Sequence, residues 1–352
     1  MAQALDPKRF ELAGDSFPVA EQVGSFLALG FFSVSANGVL AYRSGSFGGN
    51  PRLVWFDRGG KSLGTLGQPA DYYGGLALSP DGKRVAVGEL DQAGNRDIWL
   101  LDVTRGVHTR FTFDALSATP IWSPDGTRLV FNSSRGASRN IYQKDSSGSG
   151  YEELLAKSGS PEDWSPDGGY LLYILVDPKT NNTDLWVLPN PSGPPENHKP
   201  VPYLQTPFVK RQGQFSPDGH WIAYASDESG SSQYQIYVQS FPAGAGKFQV
   251  STGAGGTQPR WRRDGKEIFY LAADGKLMAV ETQTTPKFEA GAPKALFDPL
   301  ISRGRMSPQV FYRYDVTADG KRFLAISAST APETSASAPI TVMVDWLAAL
   351  KR

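Results

Sequence analysis

The tetrapeptide Ser-Pro-Asp-Gly occurs four times in this chain, at residues 79–82, 123–126, 165–168 and 216–219. Looser copies stand at Ser35-Ala36-Asn37-Gly38, Arg262-Arg263-Asp264-Gly265 and Thr317-Ala318-Asp319-Gly320. The seven closing glycines are separated by 44, 44, 42, 51, 46 and 55 residues. Proline presets φ at the second position of such a turn, serine and aspartate oxygens accept from its free amides, and glycine takes the positive φ. A tight turn with β-rich flanks recurring at this period is the signature of a propeller, in which four-stranded sheets stand around an axis.

Each repeat reads as four strands. In the second copy these are 75–78, 84–87, 97–102 and 108–112, with the turn between the first and second. The third strand overlays in the other copies as 52–57, 140–144, 184–188, 235–239, 276–281 and 340–345. Its third position holds Val54, Trp99, Tyr142, Trp186, Tyr237, Met278 and Val342, and the residue before each turn is Val34, Leu78, Trp122, Trp164, Phe215, Trp261 or Val316. Bulky apolar groups at a fixed place in every repeat are what face-to-face packing of sheets requires. The competing reading of these columns is an aromatic platform for a carbohydrate or a base.

The ends carry further information. Met1-Ala2-Gln3 and Phe10-Glu11-Leu12-Ala13-Gly14 are similar to Met278-Ala279-Val280 and Phe288-Glu289-Ala290-Gly291, so the sequence opens inside a repeat. The segment 17–23 reads as a fourth strand without a sheet of its own. Pairing it with the last repeat would remove two exposed edges. The expectation is an all-β propeller of seven four-stranded blades, with six or eight as alternatives, closed by that N-terminal strand. Residues 1–30 form the partial repeat and closing strand and 31–352 the propeller, a single domain overall. Residues 329–338, rich in serine, alanine and threonine, read as a loop.

Formal net charge is zero, with 35 basic and 35 acidic residues, so no clustered basic excess points to nucleic acid. There is no cysteine, which excludes disulfides, thiolate metal sites and a cysteine nucleophile. No stretch reads as an export signal or membrane span. The compartment stays open: periplasmic or extracytoplasmic within a membrane-anchored parent, cytoplasmic otherwise. The three histidines, His108, His198 and His220, follow no metal-ligand spacing. Asp177, Asn181, Asn182 and Asp184 make an oxygen-rich loop able to hold Ca²⁺, although without an EF-hand pattern the plain-loop reading is preferred. No cofactor is expected, and the chain reads as a monomer.

The Ser-Pro-Asp-Gly turn, the strands Lys-Arg-Val-Ala and His-Trp-Ile-Ala that follow it, and Asp97-Ile98-Trp99-Leu100-Leu101-Asp102 resemble TolB-type, WD-like propeller repeats. More narrowly, Phe32-Ser33-Val34-Ser35-Ala36-Asn37-Gly38 and Gln258-Pro259-Arg260-Trp261-Arg262-Arg263-Asp264-Gly265 resemble the C-terminal propeller region of acidobacterial serine/threonine protein kinases. That resemblance implies a kinase domain upstream and a propeller acting as sensor or docking surface. The chain itself lacks the Gly-rich loop, the His-Arg-Asp catalytic loop and Asp-Phe-Gly, so it is not the kinase. Nor does it hold a Gly-x-Ser-x-Gly elbow of the propeller-bearing peptidases.

Propeller geometry directs the search for a site. Two positions before each turn, the first strand holds Ser33, Ala77, Ile121, Asp163, Gln214, Arg260 and Asp315, a mostly polar column read as lining the axis. The loops entering that strand add Asp71, Tyr72, Tyr73, Phe113, Asp114, Glu162, Lys210, Arg211, Gln258, Arg303, Arg305, Tyr312 and Arg313, with Tyr314 beside them. Column and loops are expected to form one mouth, away from the Ser-Pro-Asp-Gly turns, that takes a protein, peptide or small polar ligand through salt links and tyrosine packing. The leading reading is a non-catalytic binding or sensor propeller. The alternative is a glycan hydrolase or lyase using Asp163 and Asp315 as acid and base and Arg260 for a substrate anion. Ordinary surface charge around a water-filled channel is the plain reading of any one of these residues.

Overall fold

The computed structural model describes residues 2–6, 8–20, 23, 25–26, 29–43, 51–91, 93–136, 138–230, 233–244, 246–301, 311–328 and 340–344. It divides into two compact units, Pro51–Ala328 and the two ends, Met1–Asn50 with Ser329–Arg352. The described residues are almost all strand and turn, with one short 3-10 helix at Pro195–Asn197.

The turns form as their chemistry demands. In the copy at 79–82, the Gly82 amide donates to Ser79 O at 2.8 Å and the Arg84 amide to Ser79 Oγ at 2.9 Å. Ser79 Oγ in turn donates to Asp81 at 2.6 Å, and Asp81 accepts from the Lys83 amide at 3.0 Å. Gly82 sits at φ +69°, a conformation that costs glycine nothing. The same set recurs at Ser123, Ser165, Ser216 and Thr317, each with its aspartate two residues on.

Within Pro51–Ala328 the described strands form six antiparallel sheets. Their leading strands are Asp71–Leu78, Ser117–Trp122, Ser160–Trp164, Lys210–Phe215, Gly256–Trp261 and Tyr314–Val316. The first sheet continues through Arg84–Leu90, Arg96–Asp102 and His108–Arg110, as its sequence predicts to within a few residues. The sixth differs. Arg322–Ser327 pairs not with 340–345 but with Arg52–Asp57, in register from Arg322 opposite Asp57 to Ser327 opposite Arg52, and Ser62–Leu66 follows. Ile340–Met343 instead pairs with Leu40–Arg43, beside Phe32–Val34, in a three-stranded sheet of the terminal unit. The third strands expected for the first and last repeats are thus exchanged. Burial explains which of them joins the larger core: Leu53 is wholly buried and Phe56 nearly so, whereas Ile340 and Val342 stay exposed.

Six apolar clusters fill the gaps between successive sheets. One of them joins the sixth sheet to the first, through Leu53, Leu324 and Ile326 against Leu76, Val85 and Val87. The aromatic column before the turns lies inside these clusters, with Trp122, Trp164, Phe215 and Trp261 all buried. Their indoles hydrogen-bond backbone carbonyls, as in Trp122 Nε1 to Ala77 O at 3.0 Å. These rings are therefore packing elements, and the carbohydrate-platform reading falls for them.

The terminal unit holds an antiparallel pair, Ala2–Asp6 with Glu11–Phe17. It repeats locally what Leu277–Gln283 and Glu289–Ala290 do in the fifth sheet, in line with their sequence similarity. Phe17 lies opposite Ala2. The expected closing strand 17–23 therefore begins inside this hairpin, and Glu21 and Gln22 lie outside the described residues.

Candidate functional site

Side chains link the third leading strand to the fourth, the fourth to the fifth, the fifth to the start of the sixth, and the sixth to the first. Asp163 Oδ2 accepts from the Phe215 amide at 2.8 Å, and Gln212 Oε1 from the Gln258 amide at 2.9 Å. Gln258 Oε1 accepts from the Arg313 amide at 2.5 Å, and Asp315 Oδ2 from the Leu78 amide at 2.8 Å. Five of the six leading strands also lose register with their neighbour just before the column residue, between Tyr72 and Leu76, Ala118 and Ile121, Pro161 and Asp163, Arg211 and Gln214, and Thr257 and Arg260. A bulge re-aims the side chain that follows it. Thr119, Gln212 and Gln258 sit in these bulges at φ +52°, +57° and +59°, a conformation non-glycine residues rarely hold.

The re-aimed column surrounds a cavity of about 180 Å³ lined by Ala77, Ile121, Glu162, Asp163, Gln214, Arg260 and Asp315. Its rim is made by Pro80, Ser123 and Pro124, residues of the Ser-Pro-Asp-Gly turns. A second cavity, of about 30 Å³, lies toward the entry end among Gly74, Gly75, Thr119, Pro120, Pro161, Phe311 and Tyr312. The two share Ile121, Glu162 and Arg260. The expectation of a single mouth away from the turns is therefore wrong in its direction. A side chain two residues before a turn points near the turn end of its strand, so column and entry loops lie at opposite ends.

Arg260 lines both cavities. Its guanidinium lies 3.7 Å from the Tyr312 ring centroid, its Nε 3.4 Å from Asp315 Oδ1, and its Nη2 donates to Leu76 O at 3.3 Å. Burial opposes that charge, but Asp315, the hydroxyls of Tyr312 and Tyr314, and Asp163 more than offset it and raise the Arg260 pKa. The carboxyls respond oppositely. Burial pushes Glu162 up to about 8, against the amides of Gln212 and Gly213 and the charges of Arg211 and Arg260. Burial likewise pushes Asp163 up to about 7, against the Phe215 amide and Arg260. Gln214 is 8% exposed, and its side-chain amide makes no hydrogen bond to the described residues.

Of the sequence-predicted site residues, Asp163, Gln214, Arg260 and Asp315 come together, while Tyr72, Tyr73, Arg211, Arg313 and Tyr314 line neither cavity. Tyr72 is buried with its hydroxyl on Gln68 O, and Tyr73 packs against Phe311 under the Arg96 guanidinium. Tyr314 donates to Gln258 O at 2.9 Å. Arg313 is wholly buried, donates from Nη1 to Tyr72 O at 3.1 Å, and has its pKa lowered by desolvation to about 10. Arg211 lies over the Tyr234 ring. Arg303 and Arg305 lie outside the described residues. Sequence reasoning missed the buried Thr119 hydroxyl, which has no partner, because nothing in its type marks the bulge that strains it.

The oxygen-rich loop does not gather as a cation site. Asp184 turns to the buried Lys210 ammonium at 3.0 Å, Asp177 caps the Lys179 amide, and Asn182 donates to Pro207 O. No cluster of metal-ligating side chains stands among the described residues. His108 pairs with Glu89 at 2.9 Å and stacks on Trp99. No helix among the described residues is long and apolar enough to cross a membrane.

A family model of the TolB beta propeller domain matches residues 48–190. The fold is of the TolB propeller type. Residues 208–337 match the N-terminal beta-propeller domain of prolyl oligopeptidase. Protein Atu1656 of Agrobacterium fabrum, itself uncharacterized, is 30% identical over 189 residues, covering 48% of this chain and 59% of the relative. Among solved structures, a candidate TolB from Agrobacterium tumefaciens superposes with a TM-score of 0.63 at 18% identity, over 80% of this chain and all of its own. TolB from Acinetobacter baumannii gives 0.52 at 19% identity, over 73% of this chain and 66% of its own. An oligogalacturonate lyase in complex with manganese gives 0.51 at 13% identity, over 89% of this chain and 81% of its own. Likenesses this distant speak to fold alone.

Proposed function

We propose that this chain is a non-catalytic binding propeller of six blades, whose ligand or partner is held in the cavity at the turn end. The hydrogen bond from Asp315 of the sixth leading strand to the Leu78 amide of the first, and the apolar cluster joining the sixth sheet to the first, support a ring closed by the Arg322–Ser327 and Arg52–Asp57 pairing. One observation carries the binding role: the 92% buried Gln214 presents an unpartnered amide to a cavity otherwise walled by Glu162, Asp163, Arg260 and Asp315. An amide with no partner in the protein is left for water or a ligand to satisfy. The resemblance to kinase-linked propellers supports a place in a receptor-type bacterial kinase, as sensor or docking region.

The test compares the protein with a Gln214→Trp variant and, as a second variant, Ile121→Trp; both fill the cavity from its wall. A ligand or partner recovered with the unaltered protein should be lost from both variants at unchanged folding. Equal recovery would place binding elsewhere. Glu162 and Asp163, held between about 7 and 8, also suit acid–base chemistry, which favours a hydrolase or lyase as the second reading. Turnover in a glycan hydrolase and lyase screen, abolished by Asp163→Asn, would replace the first reading with the second.

A further inference from the structure

We propose that the turn-end cavity receives a cationic side chain, an arginine guanidinium carried by a partner peptide. This rests on the reading of that cavity as the binding site. Three carboxyl groups, those of Glu162, Asp163 and Asp315, face one guanidinium across it. That guanidinium donates from Nη2 to the Leu76 carbonyl and lies on the Tyr312 ring, and its Nε, which makes no hydrogen bond to the described residues, stands 3.4 Å from Asp315, so an anion approaching Nε would meet that carboxylate. An incoming anion would meet the carboxyls, whereas an incoming cation would offset the charge that Glu162 and Asp163 take on when they ionise.

The second observation is Gln214. The residue is 8% exposed and lines the cavity, and its amide, without a partner among the described residues, supplies a carbonyl acceptor that a guanidinium N–H can use. Shape agrees. The volume of about 180 Å³ equals that of about six waters, room for an arginine head and part of its stem. Ala77, Ile121 and the ring of Pro124 offer the apolar wall along which methylenes lie. A planar guanidinium also matches carboxylate geometry better than an ammonium does.

The burial that raises Glu162 and Asp163 makes the site proton-linked. The charged groups acting on this pair are Arg211 and Arg260, with Asp315 and the Tyr312 hydroxyl opposing them. A cation favours the ionised carboxylates, so binding releases protons near neutral pH and tightens as pH rises through that range.

The probe is acetyl-Gly-Arg-Gly-amide, with its neutral citrulline counterpart and methylguanidinium as the other arms, titrated calorimetrically in two buffers of different ionisation enthalpy. The arginine peptide should bind with a Kd on the order of 1 mM, as short ligands of this size do. The citrulline peptide should bind at least about tenfold more weakly, and affinity should rise about tenfold between about pH 6 and about pH 8. Gln214→Leu should weaken binding about tenfold at unchanged Tm, since its amide has no partner to lose, and Asp163→Asn should reduce the proton release. Equal binding of the citrulline peptide, or no proton release, would overturn the proposal. Methylguanidinium binding as tightly as the peptide would overturn its assignment to a peptide. No binding by either peptide, while partner recovery is still lost in Gln214→Trp, would overturn the cation alone; no loss there would overturn the cavity as well.

Discussion

At the scale of single residues, the carboxylates of this chain divide into two groups with opposite pH behaviour. The turn aspartates Asp81, Asp125 and Asp167 are held below the usual carboxylate range, first by the serine hydroxyl two residues back and then by a backbone amide. Their contribution is present above the unfolded-state value and is lost as pH falls through the lower folded one. Glu162 and Asp163 are held above that range, at about 8 and about 7. Their contribution is complete below the unfolded-state value and is lost as pH rises through about 7 to 8. Stability measured by urea unfolding should therefore decline on both sides of a mildly acidic maximum. The alkaline decline should flatten in the Glu162→Gln, Asp163→Asn double variant; an unchanged alkaline limb would show that neither group is desolvated. The polar column was legible in the sequence because its offset from the turn is constant. Its direction was not, since offset alone does not say toward which end of the strand a bulge aims a side chain.

At the scale of elements, the bulges are what convert a propeller strand into a site. In the first sheet the bulge brings the Tyr73 carbonyl against Gly88, where a Cβ would stand 1.8 Å from that oxygen. Gly88→Ala should cost at least about 2 kcal/mol, read from the urea midpoint at unchanged m-value. A variant as stable as the parent would mean that this bulge relaxes freely. The turns, the second strands and most third strands could be read directly, because their residues are fixed by local chemistry. The exchange of Arg52–Asp57 and Ile340–Met343 between the first and last repeats could not. Periodicity says which segments are equivalent. Which copy supplies the partner is decided by long-range burial, here of Leu53 and Phe56.

At the scale of the whole molecule, the proposed site depends on the sixth sheet standing beside the first, because Asp315 and Arg260 must reach Leu78 and Leu76 of the first sheet. The sequence contains no cysteine, so a pair introduced as Val54→Cys and Ala325→Cys, which lie opposite each other, reports on closure without competition. Oxidation should form the disulfide and raise Tm; failure to cross-link would refute the pairing on which the six-bladed reading rests. The central claim, that binding occurs at the turn end and not at the entry loops, is tested most directly by photo-cross-linking. A benzophenone side chain placed at Pro124, on the cavity rim, is compared with one at Phe113, exposed on an entry loop. Cross-linking of the recovered partner from position 124 and not from 113 is the predicted result, and cross-linking from 113 alone would contradict the account.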